Sequence, residues 1–147
     1  MNIAPESLPQ WRQLKPERND GSLPVLEVDY LRMPVIAAGI WHAQMAGWER
    51  ILTYERIEQR QQRKAQRRNK RSQIGRDGFM RAGLTADEYP FACTMENQGD
   101  VFLTNAPRHE QSIQGGELAA FLKRSGALTQ EEGYFFFEVR VLNYPLA

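Results

Sequence analysis

The chain has 147 residues, of which 41% are hydrophobic and 25% charged, as is usual for one globular domain. Its one cysteine, Cys93, excludes an internal disulfide and a zinc site built from cysteines. No apolar run reaches the ~18 residues that a membrane-spanning helix needs. The N-terminus has no cationic start followed by an apolar core, so we expect neither a membrane segment nor a Sec signal peptide.

The net charge of +1 hides an uneven distribution of charge along the chain. Segment 56–81 contains ten basic and two acidic residues, which gives it a charge of +8 and leaves −7 on the rest. Such a segment can present a basic face to a polyanion, although many charged helices are simply solvated. The arginines that we predict to contact nucleic-acid phosphates are Arg63, Arg67, Arg68, Arg71, Arg76 and Arg81.

Composition divides the chain into two parts. Residues 1–22 contain three prolines and few apolar anchors, and we predict an extended leader there. Residues 23–147 have the apolar content to form a single domain. No internal repeat is visible in the sequence.

The first half of the domain has the pattern strand, helix, strand and polar helix. Alternating apolar residues predict the strands, and Pro34 and Gly47 are placed to begin and end the first helix. The polar run after the second strand is rich in helix formers but has little apolar surface. The predicted ranges are 23–30 for the first strand, 35–46 for the first helix, 48–54 for the second strand and 55–70 for the polar helix.

The second half predicts a hairpin, a helix and a last strand. Two apolar runs joined by the turn-rich ENQGD predict antiparallel strands, and YFFFEVRVL predicts a central strand. The predicted ranges are 91–95 and 101–104 for the hairpin, 112–124 for the helix and 134–142 for the last strand. The sequence therefore predicts an α+β fold with a small, mainly antiparallel sheet and flanking helices.

The most specific motif is Asp-Glu-Tyr-Pro-Phe-Ala at 87–92. It is followed by a glycine-containing turn at 96–99, an acid–amide pair at 110–111 and Gln-Gly-Gly at 114–116. With these elements the chain resembles the bacterial NucA/NucB deoxyribonucleases over roughly residues 23–142. The resemblance implies a ββα-metal-like nuclease core that hydrolyses DNA phosphodiester bonds with Mg²⁺ or Mn²⁺.

The resemblance assigns chemical roles to acids and amides of this unit. Asp87 is expected to act as the base or to orient the attacking water, with Glu88 as a second acid. His109 is expected to polarise the phosphate or to protonate the leaving oxygen. Oxygen ligands favour one Mg²⁺ or Mn²⁺ over zinc. The candidate metal ligands are Glu88, Glu110, Gln111 and Gln114.

Each of these residues also has a purely structural interpretation. DEYP at 87–90 could be only a turn, and acids and amides are favoured at a helix N-terminus in any case. His109 could be an ordinary surface residue. Glu96 could be a further metal ligand or a plain turn acid.

Three functions are compatible with these patterns. The first is a metal-dependent, sequence-nonspecific DNA endonuclease. The family resemblance extends to toxin domains, so this hypothesis includes an antibacterial effector that acts in the cytoplasm of a target bacterium and has a cognate immunity protein. Without such delivery the protein would be cytoplasmic. The second function is a non-catalytic nucleic-acid-binding module that uses segment 56–81, and the third is a domain whose basic face docks an acidic protein.

Overall fold

The computed structural model describes residues 8–62 and 83–146, which form an α+β fold as predicted. In these ranges no helix combines the length and the apolar character needed to cross a membrane. The elements in chain order are α1 (Gln10–Leu14), β1 (Val25–Asp29), α2 (Pro34–Met45), β2 (Ile51–Tyr54), α3 (Ile57–Gln62), β3 (Leu84–Tyr89), a 3₁₀ helix (Met95–Gln98), β4 (Phe102–Pro107), α4 (Arg108–Arg124) and β5 (Phe135–Leu142).

The strands of the described chain form two small sheets. One has the order β1-β5-β2, in which β5 pairs in parallel with β1 and antiparallel with β2. The other is the antiparallel pair β3-β4. The predictions of a mainly antiparallel arrangement and of a central last strand are confirmed. Phe137 and Val139 of β5 are fully buried because they face the hydrophobic core, on a strand that α2 contacts.

Helix α2 joins the two sheets, since it contacts strands of both. It presents Ile36, Ile40 and other small apolar side chains to the core, and it ends before Gly47, whose φ is +99°. Gly39 faces β4 so closely that a Cβ atom at this position would lie 2.3 Å from Oγ1 of Thr104. The missing side chain therefore sets the distance between α2 and the β3-β4 hairpin.

The predicted extended leader contains a helix, so the expectation of extended chain is wrong for α1. Trp11 of this helix is buried, and Lys15 binds Glu96 at 2.9 Å and also pairs with Glu49. Burial of the indole and two ion pairs give this short segment a packed position that its polar composition did not indicate. The division into leader and domain stays a prediction.

The first hairpin strand lies earlier than predicted. Residues 91–95 are not a strand, because β3 ends at Tyr89 and the chain continues through Pro90 into a loop. Phe91 and Cys93 are buried in that loop and Met95 at the start of the 3₁₀ helix, and their alternation imitates a strand. The alternative that DEYP is only a turn is also wrong, since its first three residues pair with β4.

Two further boundaries differ from the predictions. Strand β4 continues to Pro107 rather than ending at residue 104, and α4 begins at Arg108 rather than at Ser112. The first turn of α4 is polar, so the apolar spacing that predicts helices begins only later. Of the predicted polar helix 55–70, residues 55–56 are not helical, Ile57–Gln62 form α3, and the remainder lies outside the described residues.

Replacement of Gly39 by alanine tests the contact between α2 and β4. The added methyl group has to displace Thr104, so we expect the free energy of unfolding to fall by about 1–3 kcal/mol. Gly115→Ala is the control, because a Cβ atom there meets nothing within 4 Å and alanine favours the helix of α4. Urea unfolding of the two variants measures the difference, and equal stability would show that the close approach is relaxed in solution.

Candidate active site

The β3-β4 hairpin and α4 form a continuous ββα unit. Pro107 ends β4 and also precedes the first helical residue, so the chain passes from strand to helix without a loop. Asp87 pairs with Thr104 across the hairpin, so the two side chains share one face. Thr104 points at Gly39 of α2, and this places Asp87 on the face that packs toward α2.

Asp87 is the most perturbed carboxyl group of this unit. Its residue is only 6% exposed. Burial raises the pKa of Asp87 to about 7, a hydrogen bond from Gln111 opposes that rise, and the nearby charges of Glu88 and Glu110 add to it. A carboxyl group with a pKa near neutral pH can accept a proton far more effectively than an ordinary aspartate.

Glu110 caps α2 from a distant part of the sequence. The position before α2 is Met33, which gives no side-chain cap, and Pro34 has no N–H group. The remaining free donors of the first turn are the amides of Val35 and Ile36, and Oε1 of Glu110 accepts both at 3.0 Å. The glutamate is only 2% exposed, so this charge is held inside the domain by the N-terminus of α2.

Only one oxygen of Glu110 is used in this cap. Within the described ranges, Oε2 of Glu110 accepts no hydrogen bond. The negative charge of Glu110 also raises the pKa of Asp87, so the two carboxyl groups lie close enough to interact electrostatically. One carboxylate oxygen therefore fixes the side chain while the other is left for a ligand.

Two amide side chains of α4 complete the cluster. Gln111 donates from Nε2 to the carbonyl of Ala86 at 3.4 Å and so ties α4 to β3. Gln114 lies one turn after Glu110, is 6% exposed, and its Nε2 has no hydrogen-bond partner in the described chain. Rotation of this amide by half a turn exchanges Nε2 and Oε1, so the position can offer either a donor or an oxygen ligand.

These groups are typical of an open site for a hard divalent cation, in which water supplies part of the coordination shell. The described residues contain no cluster of three or more His, Cys, Asp or Glu side chains that could hold a metal ion. Mg²⁺ is commonly held by one or two carboxylates and completes its shell with water. The free oxygen of Glu110 and the unpartnered amide of Gln114 fit that type of binding.

Glu88 and His109 occupy different surroundings from Asp87. Successive side chains of a strand point to opposite faces, so Glu88 lies on the other face of β3 with Leu103 opposite it. His109 is exposed in the first turn of α4, next to Glu110, and not in a loop as predicted. The structure therefore brings Asp87 together with Glu110 and Gln111, places Gln114 one turn after Glu110 on α4, and does not bring Glu88 to the same face.

The remaining predicted residues divide into two groups. Glu96 is buried outside the ββα unit, where its oxygens accept from the amide and hydroxyl of Thr53 at 2.8 Å and bind Lys15. These contacts favour a structural role. The predicted phosphate-contacting arginines lie outside the described residues and are Arg63, Arg67, Arg68, Arg71, Arg76 and Arg81.

The sequence pattern does not indicate two buried polar features, one in the site and one on the other face of the hairpin. The N-terminus of α2 holds Glu110, but only the contact across 75 positions reveals it. Asn105 of β4 has a buried Oδ1 without a hydrogen-bond partner in the described chain, and it pairs with Ala86 across the hairpin. Asparagine is uncommon inside strands, and this could have marked Asn105 as a residue with another role.

The domain thus has the ββα arrangement and the buried acid expected of a nuclease. Residues 43–135 match the sequence model of the family Deoxyribonuclease NucA/NucB. Since the match covers more than half of the 147 residues, the chain belongs to this family. A search of curated proteins gives no significant match. The resemblance seen in the sequence is confirmed, and family membership indicates deoxyribonuclease activity.

The cap of α2 can be tested by comparing two substitutions of Glu110. Glu110→Ala leaves two buried amides without an acceptor, and we expect a loss of about 2–4 kcal/mol in the free energy of unfolding. Glu110→Gln keeps an amide oxygen in the same place and should lose no more than about half as much. Chemical unfolding in EDTA measures both, and a stable alanine variant would contradict the cap.

The raised pKa of Asp87 makes stability depend on pH. The folded state retains a proton that the unfolded chain releases between pH ~4 and ~7, so the free energy of unfolding falls as pH rises through this window. Asp87→Asn removes this loss of stability. The free energy of unfolding of the variant should therefore exceed that of the wild type by up to about 4 kcal/mol at pH 8 and should not exceed it at pH 4. The control is Asp100→Asn, an exposed site, in urea unfolding with EDTA.

Proposed function

We propose that this chain is a metal-dependent, sequence-nonspecific DNA endonuclease. The observation that carries the proposal is the buried Asp87, set beside Glu110 and Gln111 on a ββα unit of a NucA/NucB family domain. Phosphodiester hydrolysis needs an activated water, neutralisation of phosphate charge and protonation of the leaving oxygen. The residues of this unit can supply the first and third of these functions.

Asp87 is the proposed base. Its pKa of about 7 lets it accept a proton from water at neutral pH, and its buried position keeps its charge from being screened by solvent. Gln111 lies beside this carboxylate and donates to Ala86, so it holds α4 against the strand that carries the base. His109 is exposed next to Glu110 and is the proposed donor to the leaving oxygen.

Glu110 and Gln114 are the proposed ligand-bearing residues of α4. Glu110 is fixed through Oε1 by the first turn of α2, so its other oxygen has a defined position. A bound Mg²⁺ or Mn²⁺ would stabilise phosphate charge and increase the acidity of water. A carboxylate and an amide are hard oxygen donors, and this supports either of these ions in preference to zinc.

The six arginines of segment 56–81 are the proposed contacts to DNA phosphates, namely Arg63, Arg67, Arg68, Arg71, Arg76 and Arg81. The support is the charge of +8 carried by that segment. Phosphate contacts contain no base-specific information, so they agree with a nonspecific endonuclease. Affinity for DNA should therefore fall steeply as salt rises.

The nuclease proposal predicts nicking of plasmid DNA with Mg²⁺ or Mn²⁺ and none with EDTA. Asp87→Ala should lower the rate by about 10²–10⁴-fold, because the proposed base is removed. Asp100→Ala, at an exposed aspartate, should cut at the wild-type rate. Gel analysis of supercoiled plasmid measures the rates.

Two results would redirect this proposal. Salt-sensitive retention of DNA without cleavage favours the non-catalytic binding module, in which segment 56–81 holds nucleic acid and the acids only support the fold. Cleavage that Asp87→Ala leaves unchanged places the base elsewhere in the domain. Circular dichroism of the same samples establishes that each variant is folded.

We propose further that the domain serves as an antibacterial effector that reaches the cytoplasm of a target bacterium and is neutralised by a cognate immunity protein. The support is the resemblance to nuclease domains of bacterial toxins. Expression inside bacteria should kill cells and degrade their DNA, whereas Asp87→Ala at equal expression should be tolerated. Normal growth with active enzyme present would reject this role.

A further inference from the structure

A groove of about 510 Å³ lies between α2 and β4, and most of its lining is apolar or aromatic. We call it the α2–β4 groove, and its defining residues are Tyr30, Val35, Ala38, His42, Phe102 and Thr104. Its volume lies within the ~300–1,000 Å³ typical of small-molecule sites. Its lining does not include the acids and amides that form the candidate active site.

The groove is continuous with the candidate active site at one end. Thr104 lies in its wall and is the cross-strand partner of Asp87. Val35 also lines it, and the amide of Val35 is one of the two donors that hold Glu110. A polymer bound at Asp87 therefore has an apolar recess directly beside it.

One wall of the groove is aromatic and held in place from behind. Tyr144 stacks on Trp41 at 4.5 Å between ring centroids, with 11° between the rings. It also packs edge-on against Tyr30 and His42, both of which line the groove. Its hydroxyl oxygen lies 3.4 Å from Nε2 of His42. The wall is thus ordered before any ligand arrives, which lowers the entropy cost of binding.

Resting on the nuclease function proposed above, we propose that the α2–β4 groove binds one unpaired nucleobase of the DNA strand that is cut. A base is flat and apolar on its faces, and it stacks on aromatic side chains with little regard to its identity. The lining has few polar groups to read a base edge, which agrees with nonspecific cleavage. A base in this groove has left its stack, so unpaired DNA is the preferred substrate.

The test compares two single-stranded ligands with the same number of phosphates. One is a twelve-residue oligothymidylate, and the other is the same backbone with an abasic residue at every position. Binding is measured by fluorescence anisotropy in EDTA, so that no cleavage is required. The wild type should bind the oligothymidylate about 5- to 100-fold more tightly, as expected for one stacked base.

Two groove variants should reduce the ratio of the affinity for the oligothymidylate to the affinity for the abasic strand toward one. Ala38→Leu fills the floor without adding an aromatic ring, and His42→Ala removes part of the wall at an exposed position. Ala120→Leu, at an exposed position of α4, is the matched control and should keep the wild-type ratio. Circular dichroism checks the fold of each variant.

Three outcomes would overturn the proposal: a wild-type ratio of one, a ratio unchanged in both groove variants, or an equal loss in Ala120→Leu. The binding measurement is independent of catalysis. If the protein binds the two ligands with different affinities but does not cut DNA, the result supports the groove proposal and contradicts the nuclease function. If it cuts DNA but binds the two ligands with equal affinity, the result supports the nuclease function and contradicts the groove proposal.

Discussion

The carboxylate of Glu110 on the N-terminus of α2 is the interaction on which the site depends. Helix α2 begins at Met33 and Pro34, which supply neither a side-chain cap nor the first amide, so its two free donors need an acceptor from elsewhere. Glu110 supplies it from the first turn of α4. These two buried hydrogen bonds therefore join α2, in the core, to α4 of the ββα unit.

This interaction also constrains where the chemistry can occur. Because Glu110 is fixed against α2, the start of α4 is fixed against the hairpin, and Gln111 reaches β3 beside Asp87. Burial of Asp87, together with the nearby charges of Glu88 and Glu110, raises its pKa to about 7, although the hydrogen bond from Gln111 opposes that rise. A structural cap and a perturbed acid thus arise from the same packing, and the close contact of Gly39 with Thr104 keeps that packing tight.

The elements that could be predicted from the sequence are set by residues within or next to each element. Pro34 and Gly47 mark the ends of α2, and the apolar run around Phe137 marks the central strand. Strand β3 was misplaced because its inward residue is Asp87, which interrupts the apolar alternation. Helix α4 was predicted too short because its first turn faces a polar site. The motif at 87–92 named the family, but the contact of Glu110 with α2 joins residues far apart in sequence and has no local pattern.

We propose that Glu110 and Gln114 hold one cation at the N-terminal end of α4, on the ββα unit that carries the base Asp87. A crystal structure of the protein grown with Mn²⁺, with anomalous diffraction to locate the ion, tests it directly. We expect one anomalous peak within ~2.5 Å of Oε2 of Glu110, with the bonds from Val35 and Ile36 to Oε1 retained. A peak bound only by Glu88 on the other face of β3, or no peak at saturating Mn²⁺, would contradict the claim.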